Sequence, residues 1–102
     1  MLKINNVEWT IYLVSPFHPM LEKTDGSFSI GSCDVETCGI YINDTLENHF
    51  LKRVLCHEIV HAAIFSYGVI LSYREEEIIA ELIAKYGEEI INITNSIFSK
   101  LK

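Results

Sequence analysis

Val54-Leu55-Cys56-His57-Glu58-Ile59-Val60-His61-Ala62-Ala63-Ile64-Phe65 contains only three strongly polar side chains, and they form His-Glu-x-x-His. On a helix, positions four apart share a face, so His57 and His61 project one turn apart with Glu58 beside them. A helix this apolar is buried on most sides, and buried ionisable groups need a partner or a metal. The stretch therefore predicts an internal helix carrying half of a zinc site.

The flanks bound this helix. Asp44 followed by Glu47 reads as an N-terminal capping pair, Leu46, Phe50, Val54, His57 and His61 follow at helical spacing to about Ser66, and Gly68 stands where a left-handed C-cap is expected. Ser72-Tyr73-Arg74-Glu75 is a second capping box, so another helix starts at about residue 73. Its apolar stripe runs through Ile78, Ile79, Leu82, Ile83 and Tyr86 and continues beyond Gly87 to Leu101, as one bent helix or as two. Its C-terminal part, Ile90 to Leu101, closes the core from behind or forms a dimer interface, so a monomer and a homodimer both remain open.

Upstream, Val7 to Val14 is rich in β-branched and aromatic residues and reads as a strand. Phe28 to Cys33 and Gly39 to Ile42, separated by the turn-like Asp34 to Cys38, read as a hairpin or two neighbouring strands. The expected fold is α+β, residues 1–102 forming a single domain in which a small, mainly antiparallel sheet packs on the motif helix and a C-terminal helix or helix pair.

Composition narrows function. A net charge of −6, with eight scattered Lys and Arg, argues against a nucleic-acid footprint. Met1 to Val14 is not a signal peptide, and no apolar run is long enough to span a bilayer, so a cytoplasmic protein without membrane partners is expected. Cys33, Cys38 and Cys56 then read as reduced thiols in ordinary core or strand positions, with no C-x-x-C spacing. His18 and His49 read as surface residues.

A catalytic zinc usually takes three protein ligands, so His57 and His61 need a third. Glu75, Glu76, Glu77 and Glu81 lie at the start of the second helix, and Glu77 and Glu81 share a face. Glu77 is taken as the metal ligand and Glu81 as the carboxylate that accepts Nδ1–H from a ligand histidine, although either glutamate satisfies the spacing. Glu75 and Glu76 read as solvated residues favoured by the helix dipole. Glu58, adjacent to a ligand but pointing elsewhere, is placed as general base toward an attacking water, and the implied reaction is peptide-bond hydrolysis. Tyr67, Tyr73 and Tyr86 are candidates to stabilise an oxyanion, with packing the commoner role.

Val54 to Ala63 is similar to the extended zincin motif, and Glu77-Ile78-Ile79-Ala80-Glu81 resembles the second motif of gluzincins and the E-x-x-A element of ImmA/IrrE-type metallopeptidases. Size and the Gly-Ser-Cys-Asp segment look most like the small H-E-x-x-H proteins of phages and prophages. The resemblance implies a minimal zincin: a cytoplasmic, zinc-dependent peptidase acting on a peptide or protein, with a phage or host regulator as the natural substrate. It further implies that Ile40-Tyr41-Ile42, ahead of the motif helix, is an edge strand on which an extended peptide docks, or else an ordinary sheet strand. Two departures qualify it: the second acidic position is Glu81 where Asp or Asn is usual, and no second domain supplies the other wall of a cleft. A zinc-binding regulatory or interaction protein without turnover is the alternative.

Overall fold

The computed structural model describes residues 1–102. It has the α+β architecture expected, in the order β1 (Leu2–Ile4), β2 (Val7–Val14), a single 3-10 turn (Pro19–Leu21), β3 (Gly31–Asp34), β4 (Gly39–Asn43), α1 (Asn48–Ser66) and α2 (Tyr73–Leu101). The four strands form one sheet in the order β1-β2-β4-β3. The β1–β2 and β3–β4 pairs are antiparallel, whereas β2 and β4 run parallel, with Ile11 opposite Ile40 and Leu13 opposite Ile42.

This arrangement decides between the two readings of Ile40-Tyr41-Ile42 in favour of an ordinary interior strand. The chain returns from β2 through the 3-10 turn to β3 on the outside, so β4 is flanked on both sides and β3 is the edge beside the helices. Burial of Gly39, Ile40 and Ile42, with Tyr41 half-buried between them, fits that interior place.

Strand β1 was not anticipated. It pairs with β2 across Asn5-Asn6, both at positive φ (47° and 66°), a two-residue hairpin turn whose left-handed positions asparagine tolerates. The strand expected from Phe28 is shorter, since Phe28 makes only an isolated bridge to Glu22 and regular pairing begins at Gly31.

Trp9, Ile40 and Ile42 on one sheet face meet Val54 and Ala62 of α1, all at most 5% exposed, and this cluster is the core. Trp9 Nε1 donates to Ser66 Oγ at 2.8 Å and Asn5 Nδ2 donates to the Ser66 carbonyl at 2.9 Å, tying the end of α1 to the β1–β2 hairpin. A buried indole N–H left unpaired would cost about 1–3 kcal/mol, so the serine fixes where the helix lies along the sheet.

The Asp44/Glu47 capping pair does not form. Asn43 Oδ1 instead accepts from the Thr45 backbone N–H at 2.8 Å and from Thr45 Oγ1 at 2.6 Å, and this local turn delays α1 to Asn48 behind a Glu47 N-cap without a side-chain bond. The C-terminal cap is as expected. Gly68, at φ +68°, donates to the Phe65 carbonyl and Val69 to that of Ile64, the paired bonds of a Schellman motif. The Ser72/Glu75 capping box then opens α2, a single helix of 29 residues. It runs back antiparallel to α1, as Lys52–Glu88, Arg53–Glu81 and His61–Glu76 show in succession.

Candidate metal centre

His57 and His61 lie on the side of α1 that faces the start of α2. Their ring centroids are 5.0 Å apart. Glu77 reaches between them, with Oε1 at 2.7 Å from His61 Nε2 and Oε2 at 3.4 Å from His57 Nε2. One donor atom from each of the three residues falls within 4.8 Å of the others. Bonds of 2.0–2.1 Å in a tetrahedral site place donor atoms about 3.3 Å apart, so the cluster is close to what a zinc ion requires.

The second nitrogen of His61 is also engaged. Nδ1 lies 2.6 Å from Glu76 Oε1, so His61 has a carboxylate at each ring nitrogen. If Nδ1–H donates to Glu76, the lone pair on Nε2 faces Glu77 Oε1, and two acceptors at that distance repel unless a proton or a cation lies between them. The donor set, two imidazole nitrogens and one carboxylate with an outer carboxylate orienting one ring, fits a divalent zinc ion.

Glu77 is thus brought to the histidines, while the carboxylate against His61 Nδ1 is that of Glu76 and not of Glu81. Glu81 accepts from Arg53 Nη2 at 3.1 Å instead. The reason is direction. In an antiparallel pair, moving four residues along α2 carries a side chain one turn, about 5–6 Å, toward the N-terminus of α1, past His57 to Arg53. Sequence alone places Glu76 as a solvated helix-start residue. Only the crossing of α2 over α1 turns it toward His61, so spacing within one helix carries no signal for it.

Glu58 lines the same cleft as the histidines, with Oε2 close to β3 at Gly31. It is 8% exposed, and it has no side-chain hydrogen bond or ion pair. Burial, opposed by His61 and reinforced by Glu77, pushes its carboxyl up to about 7. A carboxyl poised there exchanges a proton readily near neutral pH. The strand above it makes room by having no side chain at Gly31, where a Cβ would lie 2.9 Å from Val54 Cγ1 and 3.0 Å from Glu58 Oε2. The composition of a short polar strand held no sign that this glycine matters.

These groups line an open cleft of about 620 Å³ between β3, the loop around Met20 to Lys23, and the first turns of α2. Tyr73 lines it, whereas Tyr67 and Tyr86 do not. Cys33 lines it too, its thiol pushed up to about 12 by burial and then by the negative charge of Glu58 and Glu76, so it stays protonated at neutral pH. All three cysteines are unpaired. His49 is exposed, as expected, while His18 is partly covered, its Nδ1 accepting from the Met20 N–H at 3.0 Å and its ring stacked on Tyr41. No helix is long and apolar enough to cross a membrane.

Comparison with protein families, with curated proteins and with solved structures finds no match to this chain.

Proposed function

We propose that the protein is a zinc-dependent peptidase. The observation that carries this reading is the convergence of His57 Nε2, His61 Nε2 and a Glu77 carboxylate oxygen on one point, with Glu58 beside it in an open cleft. A zinc ion bound there would supply Lewis acidity and lower the pKa of a water. The chain's residues divide the remaining work. Glu76 holds His61 with Nε2 directed at the ion, Glu58 accepts the proton of the attacking water and returns it to the leaving amine, and β3 with α2 walls the cleft in which a peptide lies. Unpaired cysteines fit a reducing, cytoplasmic setting.

The test separates metal from chemistry. Glu58→Gln keeps stoichiometric zinc by elemental analysis and loses cleavage of an unstructured protein such as casein, while His57→Ala loses the zinc. Cleavage retained by pure Glu58→Gln protein refutes the mechanism. Stoichiometric zinc with no hydrolysis of any peptide panel by the unaltered protein identifies a zinc-holding regulatory protein instead.

A further inference from the structure

Beyond Glu88, which meets Lys52 at 2.9 Å, α2 leaves the rest of its own chain behind. Every residue from Glu88 to Lys102 is exposed, and the molecule extends 52 Å along one axis against 30 and 27 Å along the others. One side of this overhang is apolar. Ile90, Ile93, Ile97 and Leu101 recur at helical spacing with exposures of 49, 56, 49 and 79%, and Asn92, Asn95 and Ser99 occupy the opposite side. A helical segment of about 15 residues rich in isoleucine, asparagine, threonine and serine is marginal in water without packing, so the overhang implies a partner along the isoleucine seam.

Charge decides which partner. Apart from Glu88, already paired, the tail carries only Glu89, Lys100 and Lys102. Glu89 and Lys100 are eleven positions apart, about three helical turns, and so stand on the same flank of the seam. Like flanks meet when two identical helices pack antiparallel. Glu89 of each copy then faces Lys100 of the other about an axis near Thr94 and Asn95, and Ile93 of each packs on Ile97 of the other. Parallel packing puts lysine level with lysine. An anionic membrane surface is poorly matched, because the polar side of the helix carries no Lys or Arg before residue 100 and the chain's net charge is −6.

We propose that the protein is a homodimer built from the antiparallel pairing of its two Glu88–Lys102 tails, with the two metal-centre domains at opposite ends. Pairing of these tails buries on the order of 1,000 Å² in total, at the lower bound of a specific interface. The inference stands independently of the peptidase reading.

Sedimentation equilibrium of the full chain over about 1–200 µM tests it, with a species of two 11.7 kDa chains expected at the upper end. Ile93→Asp together with Ile97→Asp gives a monomer. Because that variant also risks melting the tail, the deciding variants are on its flank. Glu89→Lys and Lys100→Glu each weaken association about tenfold, and the two combined restore it to within about threefold. A monomer throughout, a dimer indifferent to the single reversals, or failure of the double reversal to restore association overturns the proposal. So does binding to phosphatidylcholine/phosphatidylglycerol vesicles in place of self-association.

Discussion

His61 holds Glu76 Oε1 at 2.6 Å from its Nδ1 and Glu77 Oε1 at 2.7 Å from its Nε2, so two consecutive residues of α2 grip opposite edges of one ring. Consecutive positions on a helix diverge by about 100°, yet each of these two carboxylates meets one ring nitrogen of the same imidazole. The grip sets which nitrogen points at the centre of the site.

That relationship predicts different fates for the acidic residues of α2. Glu76→Gln weakens zinc binding about 10- to 100-fold while leaving all three ligands in place, and Glu81→Gln leaves it within about twofold. Competition against a chromophoric chelator reads both. Equal losses in the two variants would return Glu81 to the outer role and contradict the geometry.

The buried Glu58 carboxyl predicts the pH dependence of the metal-free fold. Its pKa is raised from 4.5 to about 7 in the folded chain, so the folded state holds a proton that the unfolded state has released. The stabilisation is complete below pH 4.5 and is lost as pH rises through about 7, by an amount on the order of 3 kcal/mol. Urea denaturation of chelator-treated protein between pH 4.5 and 8 measures it. Glu58→Gln removes this component, and an unchanged pH profile in that variant would show that Glu58 is not its source.

Gly31 predicts a steric effect in a strand that otherwise tolerates side chains. Gly31→Ala forces a Cβ to within 2.9 Å of Val54 Cγ1 and 3.0 Å of Glu58 Oε2, so α1 or β3 must shift. A cost of about 1–3 kcal/mol is expected from denaturant midpoints. Ser32→Ala, one residue on, is the control with little effect.

Zinc itself is expected to stabilise the fold through its three ligands. At a free concentration a thousand times the dissociation constant, the gain is about 4 kcal/mol, seen as a rise in Tm on adding zinc to chelated protein. His57→Ala, His61→Ala and Glu77→Gln each abolish most of that rise. A rise preserved in Glu77→Gln would remove it from the ligand set.

Much of the framework was legible in the residues themselves. Both long helices, the Gly68 cap, the Ser72/Glu75 box and the Val7–Val14 strand rest on local chemistry, which a sequence carries in full. So does the pairing of His57 with His61, since four positions on any α-helix make one face. What the residues left open or misplaced depended on neighbours distant in sequence or on competing local bonds. Asp44 lost the helix start to an Asn43–Thr45 turn, and Ile40-Tyr41-Ile42 proved interior because the chain crosses over before β3 is laid outside it.

What the sequence by itself determined is the set of groups: two imidazoles one turn apart, a carboxylate between them in sequence, and an acid-rich helix start to follow. What only the tertiary structure decided is their assignment. The antiparallel crossing of α2 over α1 gives Glu77 to both histidines, Glu76 to the back of His61 and Glu81 to Arg53. The close approach of β3 at Gly31 buries Glu58 and raises its carboxyl. Spacing along one helix specifies a face. Which residue on that face meets which partner depends on the angle and offset of a second element, and packing of the whole core sets these.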